Sequence, residues 1–202
     1  MKKLFFILFF VPLISYCQTD SEFILQKSIG FGGVGNNCIT NNDCFSLSPF
    51  DFPNNFYRTI FYTYKQEANK QVIDSISDDF YNIKLNSFKH EKNNSYVILL
   101  RMESEYISTF YIYYIKEGKI MKIGIWDVLV PYEKYNCEFC GYSIEDFRIH
   151  QRNDDIEFSF LKDVRFFVWK DHHGNSEDWG TYNAGELKVA FNIADGTIRE
   201  IK

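Results

Sequence analysis

The pattern of apolar and polar residues predicts β-strands along most of the chain after residue 80. Tyr96 to Met102 places an apolar side chain at every second position, which predicts a strand with one apolar face. Residues 107–115 are apolar or aromatic at nearly every position, which predicts a central strand buried on both faces. Lys116-Glu117-Gly118-Lys119 predicts a turn, after which residues 120–126 return as the partner strand of a hairpin.

The C-terminal part predicts further hairpins. Residues 143–150 and 156–161 flank the polar segment Arg152-Asn153-Asp154, and residues 164–169 predict another strand. Alternation over residues 187–193 is followed by Asp195-Gly196, a pair favoured in two-residue hairpin turns because both positions accept a positive φ. Residues 197–201 then predict the returning strand.

The N-terminal part has weaker periodicity. Residues 18–55 are rich in Gly, Asn, Ser and Pro and predict a mostly irregular segment, with a candidate strand at residues 22–29. Residues 56–77 are ambiguous, because apolar residues recur every four positions while residues 57–64 favour a strand. We expect a strand to about Tyr64 and a short helix after it.

These elements predict an all-β protein, or a β-rich one with one short helix. Short strands at this spacing, without interleaved helices, indicate an antiparallel sandwich or barrel built from consecutive hairpins. The predicted organisation is a signal peptide at residues 1–17, an irregular segment at 18–55 packed on the domain, and a single antiparallel β domain at 56–202.

The first seventeen residues have the order of a secretory signal. Lys2 and Lys3 precede an apolar run from Leu4 to Ile14, and Cys17 follows. The run is too short to span a bilayer core of roughly 30 Å as a helix. Two outcomes stay open at this junction: cleavage after Cys17, or lipidation of Cys17, although the bulky Tyr16 departs from a lipoprotein signal. Either predicts an exported protein of the periplasm, outer membrane or extracellular space, with membrane contact only through a lipid at Cys17.

Four cysteines remain after this leader. An even count in an oxidising compartment predicts two disulfides among Cys38, Cys44, Cys137 and Cys140. Of the three connectivities, we favour the two local pairs, Cys38–Cys44 and Cys137–Cys140. A zinc site built from the same four cysteines has the right ligand number, but oxidation competes with it. The C-x-x-C of the second pair lacks the setting expected of a redox motif.

The composition of the chain argues against some classes of binding partner. The chain has 22 basic and 27 acidic residues and a net charge of −5, and loss of the two leader lysines makes the remainder more negative. That balance argues against nucleic acid as a partner, which needs a basic footprint. Aromatic residues form 19% of the chain, mostly Phe and Tyr, and fit half-buried strands. We therefore expect the partner to be a protein or a glycan, which the sequence does not identify further.

Two short motifs carry little chemistry. Residues 30–35 match the spacing G-x-G-x-x-G, but no helix pattern follows to bind a pyrophosphate, so a glycine loop is the simpler interpretation. Glu103 and Glu105 share one strand face at roughly 7 Å, the separation of an inverting glycosidase pair. Acidic residues at the end of an apolar strand more commonly form a solvated edge.

The strongest candidate for a ligand or metal site is the polar segment 171–180. Its candidate residues are Asp171, His172, His173, Glu177, Asp178 and Trp179. Histidine with carboxylates suits zinc, carboxylates alone suit calcium, and Trp179 offers a stacking surface. The spacing matches no metal signature, so we favour a polar loop without a cofactor, and a zinc or calcium site is the alternative.

No motif identifies a catalytic set. We therefore expect a non-enzymatic binding or structural module of the bacterial cell envelope. A secreted hydrolase acting on glycan or cell-wall material is one alternative. An envelope assembly or inhibitor protein that binds a partner through a strand edge is another.

Overall fold

Backbone hydrogen bonds organise the chain into two antiparallel sheets. The structure, a computed structural model, describes residues 21–30, 37–48, 57–65, 70–77, 82–103, 107–131, 142–170 and 175–201. The chain is nearly all β, which confirms the predicted fold class. Within the described residues a single 3-10 turn, Ile144–Asp146, is the only helical element, and no helix is long and apolar enough to cross a membrane.

The described residues contain fifteen strands. The strands of the first half are β1 (Ser21–Gly30), β2 (Asn37–Cys38), β3 (Asp43–Leu47), β4 (Tyr57–Tyr64), β5 (Gln71–Ser77), β6 (Asn82–His90) and β7 (Ser95–Glu103). The strands of the second half are β8 (Ser108–Lys116), β9 (Lys119–Leu129), β10 (Phe147–Arg152), β11 (Asp155–Phe160), β12 (Val164–Trp169), β13 (Ser176–Tyr182), β14 (Lys188–Asn192) and β15 (Ile198–Ile201).

Eleven of these strands form one long sheet, in the order β13-β12-β9-β8-β7-β6-β1-β10-β11-β14-β15. Consecutive hairpins build most of it, and β1 joins its two halves by pairing with both β6 and β10. The sheet curls into a half-barrel. The remaining strands form a small sheet in the order β2-β3-β4-β5.

An aromatic core on the concave face holds the curl. Trp126 on β9 lies six strands from β11 in the sheet order, yet its ring is 4.9 Å from that of Phe158 on β11. Phe160 contacts the rings of Trp126, Tyr142, Phe147 and Phe166 at 5.0 to 6.4 Å. These contacts join strands from the two ends of the sheet around one core. In a flat sheet those strands would lie far apart, so the contacts require the sheet to curl.

A second apolar core lies between the small sheet and the convex face of β6–β9. Strand β8 is therefore covered on both sides, and every residue from Ser108 to Ile115 is buried, as its apolar run predicted. A buried polar contact supports the interface: Asp74 of β5 accepts a hydrogen bond from Tyr113 at 3.0 Å and pairs with Lys122 at 2.7 Å. The whole is a sandwich in which one layer also curls into a half-barrel.

The two edge strands of the long sheet, β13 and β15, lie close enough for their side chains to interact. Burial and the nearby Glu200 carboxylate of β15 raise the pKa of Tyr182 on β13. A Cβ built on Gly124 of β9 would lie 3.2 Å from Ile198 of β15. Within the described residues β13 and β15 form no backbone ladder, so the barrel does not close.

The predicted hairpins are largely confirmed. The turn at Lys116–Lys119 joins β8 to β9, and Glu117 and Gly118 both have positive φ. The hairpin across Asn153 joins β10 to β11, and β12 spans the predicted residues 164–169. Each of these turns contains the residue types that a positive φ favours.

The C-terminal hairpin forms, but its predicted two-residue turn is wrong. Phe191 pairs with Ile198, and only Gly196 of the Asp195-Gly196 pair has positive φ. The Asn192 side chain explains the longer loop, because its Oδ1 accepts hydrogen bonds from the N–H groups of Ala194 and Asp195.

Two N-terminal expectations need correction. The candidate strand at residues 22–29 is confirmed as β1, which occupies the middle of the long sheet, but the segment 18–55, expected to be otherwise mostly irregular, also supplies β2 and β3. Strand β4 ends at Tyr64 as predicted, but residues 71–77 form β5 instead of continuing the expected helix. Pairing with β4 overrides the four-residue periodicity there. The proposed domain boundaries stay a prediction.

The concave aromatic core yields a stability prediction. Phe160→Ala should lower the free energy of unfolding by about 3–5 kcal/mol, because it removes four ring contacts at a fully buried position. Phe167→Ala, the same change at a partly exposed position on β12, is the matched control and should cost clearly less. Urea denaturation measures both. Equal losses would contradict the role assigned to this core.

Candidate functional site

A cleft of about 310 Å³ opens at one end of the sandwich, where the small sheet meets the β8–β9 hairpin. Three separate turns and the strand ends beside them supply its lining. The lining residues are Thr40, Asn42, Asp43, Tyr64, Asn94, Tyr96, Ile115, Glu117 and Gly118. Two tyrosines with amide, hydroxyl and carboxylate groups make this a polar site with aromatic surfaces.

A disulfide braces the first wall of the cleft. Cys38 and Cys44 are a cross-strand pair of β2 and β3 and are disulfide-bonded, which confirms that predicted pairing. The bond closes the short loop that carries Thr40, Asn42 and Asp43. Cys137 and Cys140 lie outside the described residues, as does Cys17.

Asp43 is held in place at this wall by two hydroxyl groups. Its Oδ2 accepts a hydrogen bond from Thr40 at 2.6 Å, and its Oδ1 accepts one from Tyr62, also at 2.6 Å. Burial, the hydrogen bond and the carboxylate charge together raise the pKa of Tyr62 well above its usual value. Tyr62 therefore stays protonated and keeps donating, so the carboxylate has a fixed position.

Tyr64 forms the second wall and rests against the β8–β9 turn. A Cβ built on Gly118 would lie 2.6 to 2.8 Å from three carbons of the Tyr64 ring, so only glycine allows this approach. Gly118 also has φ +75°, which side chains disfavour. The backbone N–H of Lys65 donates a hydrogen bond to the backbone carbonyl of Asn42 at 2.8 Å, which connects this wall to the disulfide loop.

Tyr96 of β7 adds the second aromatic ring and belongs to the partly buried rim of the convex core. Burial raises the pKa of Tyr96, and the Asp43 carboxylate raises it further. Its hydroxyl is therefore a neutral donor and acceptor at physiological pH. With Ile115 it forms the base that the long sheet contributes to the cleft.

The structure describes only the second half of the predicted segment 171–180. Asp171, His172 and His173 lie outside the described residues. Glu177 and Asp178 lie on the edge strand β13 and pair with Lys170 at 3.2 Å and Arg165 at 2.8 Å. These pairs are exposed and form an ordinary charged strand edge.

Trp179 is turned toward the core. It is partly buried, and its ring is 5.4 Å from that of Phe166 in the concave core. Part of its surface is therefore used for packing. Among the described residues no three His, Cys, Asp or Glu side chains group closely enough to hold a metal ion. The alternative of a zinc or calcium site stays untested, because three of its five candidate ligands lie outside the described residues.

The predicted carboxylate pair is only half described. Glu103 binds Arg101 at 2.6 Å and accepts a hydrogen bond from Asn82 at 2.8 Å, while Glu105 lies outside the described residues. Of the glycine motif, only Gly30, at the end of β1, is described. Asp127 is a further, partly buried carboxyl, and burial raises its pKa.

Ser21 and His90 form a buried pair that resembles a nucleophile and its base. Ser21 Oγ lies 2.6 Å from His90 Nε2, but His90 Nδ1 accepts a hydrogen bond from the Lys92 N–H at 3.1 Å. Neutral imidazole carries one proton, so an acceptor at Nδ1 places that proton on Nε2. The ring then donates to Ser21 and cannot take its proton, which makes this contact structural.

Sequence reasoning missed the cleft as a site. Its residues come from three turns that are distant in the chain and meet only through sheet packing. The spacing of Cys38 and Cys44 was the available signal, because it predicted a closed polar loop between them.

Comparison of the chain with protein-family models, with curated proteins and with solved structures finds no match.

The close contact of Gly118 with Tyr64 gives a prediction about the second wall. Gly185→Ala places a methyl group at φ +79° in open space and should cost about 1–2 kcal/mol of unfolding free energy. Gly118→Ala adds a collision with Tyr64 and should cost more. Urea denaturation measures stability, and the NMR signals of the Tyr64 ring measure its displacement. Equal costs with unmoved ring signals would contradict the contact.

The buried His90 gives a prediction about pH. Burial lowers the pKa of His90 below its usual value of about 6.5, and the charge of Lys92 lowers it further. As the pH falls, His90 therefore binds its proton at a higher pH in the unfolded chain than in the folded one. The contribution of the neutral His90 to the free energy of unfolding is complete above pH ~6.5 and is lost as the pH decreases toward the folded-state pKa. Unfolding free energies at several pH values should show this fall in the wild type, and His90→Gln should flatten it. A pH-independent difference between the two proteins would contradict this.

Proposed function

We propose that this protein is a non-enzymatic binding module that holds a glycan segment in the cleft between its sheets. The carrying observation is the lining of that cleft, which combines the rings of Tyr64 and Tyr96 with the side chains of Asn42, Asp43 and Asn94. Aromatic rings offer flat apolar surfaces, while amides and carboxylates bind hydroxyl groups. Sugars present both kinds of surface on one small ring.

The volume and rigidity of the cleft support a small, ordered ligand. A cleft of about 310 Å³ lies at the lower end of the range of ligand pockets, which suits one sugar unit of a longer chain. The disulfide fixes one wall and the Gly118 contact fixes the other. Such preorganised walls reduce the entropy that a ligand must overcome on binding.

A glycan hydrolase is the competing function, and one observation favours it: Asp43 and Glu117 both line the aromatic cleft. A binding role agrees better with the environment of Asp43, whose two oxygens already accept hydrogen bonds from Thr40 and Tyr62. A catalytic carboxylate must instead exchange a proton or attack the substrate.

We place this function outside the cytoplasm, in the periplasm, on the outer membrane or in the extracellular space. The leader-like residues 1–17 support export, and the Cys38–Cys44 disulfide is consistent with an oxidising compartment. Lipidation at Cys17 remains the alternative to cleavage after it.

Tyr64→Ala tests the glycan site. On a panel of soluble bacterial cell-envelope oligosaccharides, we expect calorimetry to detect saturable binding by the wild type and a loss of about tenfold or more for this variant. Tyr182→Ala removes a partly exposed tyrosine far from the cleft lining and should bind normally. Release of new reducing ends by the wild type would assign the hydrolase function instead. Absence of binding across the panel, or equal losses in both variants, would refute the site.

A further inference from the structure

A second group of polar side chains lies on the concave face of the long sheet, away from the cleft. Asn86 and Lys84 are on β6, with Ser28 and Gly30 of β1 directly opposite them. Arg101 of β7 lies opposite Lys84 on the other side. Directly opposed residues project to the same face, so these five positions share one surface.

This surface is the one that carries the concave core. Asn86 pairs with Leu99, which is a member of that core, while Leu85 and Ile98 face the small sheet. The polar group therefore lies where the apolar lining of the half-barrel ends, beside Phe110, the next residue in the row of Arg101.

Two buried donors in this group are unused. Within the described residues, five buried side-chain polar atoms have no hydrogen-bond partner: Asn86 Nδ2, Ser87 Oγ, Arg101 Nε, Trp126 Nε1 and Gln151 Oε1. Asn86 is 1% exposed, and its Oδ1 accepts a hydrogen bond from Ser28 at 2.7 Å, which leaves its amide hydrogens free. Asn86 and Arg101 are diagonal neighbours on adjacent strands, whereas Phe110 separates Trp126 from Arg101.

Arg101 stays charged, and one nitrogen of its guanidinium group has no hydrogen-bond partner among the described residues. Its Nη2 binds Glu103 at 2.6 Å, but its Nε has no partner within the described residues. Burial lowers the pKa of Arg101, while the carboxylates of Glu103 and Asp146 oppose that shift. A guanidinium remains protonated under such conditions, so a buried cationic donor stays available.

The group also has room and a second positive charge. A Cβ built on Gly30 would have no atom of the described residues within 4 Å, so that part of the structure leaves the position opposite Lys84 open. Lys84 is only partly exposed and has no ionic partner among the described residues. The Glu103 carboxylate pairs with Arg101, and the Asp146 carboxylate near Arg101 pairs with Lys162 at 2.9 Å, so the charge of Lys84 is not neutralised by an ion pair within the described residues.

We propose that Asn86, Arg101 and Lys84 form a second binding site, for a small oxyanion whose charged oxygens accept from these donors. Such a ligand would satisfy Asn86 Nδ2 and Arg101 Nε at once, and an unsatisfied buried donor is costly in a folded protein. Carboxylate and phosphate share the required chemistry. The site is on the opposite face of the long sheet from the glycan cleft and does not depend on it.

NMR spectroscopy on the full chain tests the proposal directly. Inorganic phosphate and acetate, at constant ionic strength and pH, are the two probes, and they distinguish a phosphate from a carboxylate ligand. We expect the Arg101 Nε–H and Asn86 amide signals to shift saturably with at least one probe, with a Kd of about 1 mM or lower. Unchanged signals with both probes would refute the proposal.

Two variants and a control make the result specific. Lys84→Met should weaken binding by about tenfold, since it removes one charge from the site. Lys188→Met removes the same charge from an exposed position on β14 and should leave the affinity unchanged. Gly30→Leu fills the open position at a residue without positive φ, so it should fold normally and abolish binding.

The outcomes separate this site from the other proposal. Tyr64→Ala should bind the anion normally, whatever its effect on glycans. Equal weakening by Lys84→Met and Lys188→Met would identify nonspecific attraction to surface charge and overturn the site. Normal anion binding by folded Gly30→Leu would overturn it as well.

Discussion

The contact of Trp126 with Phe158 and Phe160 is the constraint on which the rest of the structure depends. It brings together strands that are six positions apart in one sheet, so the sheet must curl. Curling gives β6–β9 a concave face with its own aromatic core and a convex face that needs another cover. The small sheet supplies that cover, and the cleft exists because the small sheet meets the convex face near the turn at Gly118.

Much of the fold was predictable because the pattern that indicates a strand lies within a short stretch of sequence. Apolar residues at a spacing of two from Tyr96 to Met102 mark one face of β7, and the continuous apolar run marks β8 as covered on both sides. The turn at Glu117-Gly118 followed from residue types that accept positive φ. The Asp195-Gly196 turn failed because Asn192 caps a longer loop, a side-chain effect that a dipeptide rule omits.

The candidate site was not predictable in the same way. Asp43, Tyr64 and Gly118 become neighbours only after β3 and β4 pack on the β8–β9 hairpin. Packing between sheets is a long-range property, and no local spacing encodes it. The segment around Trp179 drew attention through its composition, yet that residue packs partly against Phe166. A site assembled by packing between sheets, such as this cleft, therefore leaves little trace in the spacing of residues along the chain.

Strand β7 explains how one sheet supports two unlike surfaces. Tyr96 projects to the convex side and reaches the cleft, whereas Arg101 projects to the concave side. An odd separation along a strand puts two residues on opposite faces, and the sheet backbone lies between them. Residues that share no partner have nearly additive effects on stability. Substitutions on one face should therefore leave the chemistry of the other intact, which lets each surface be judged on its own residues.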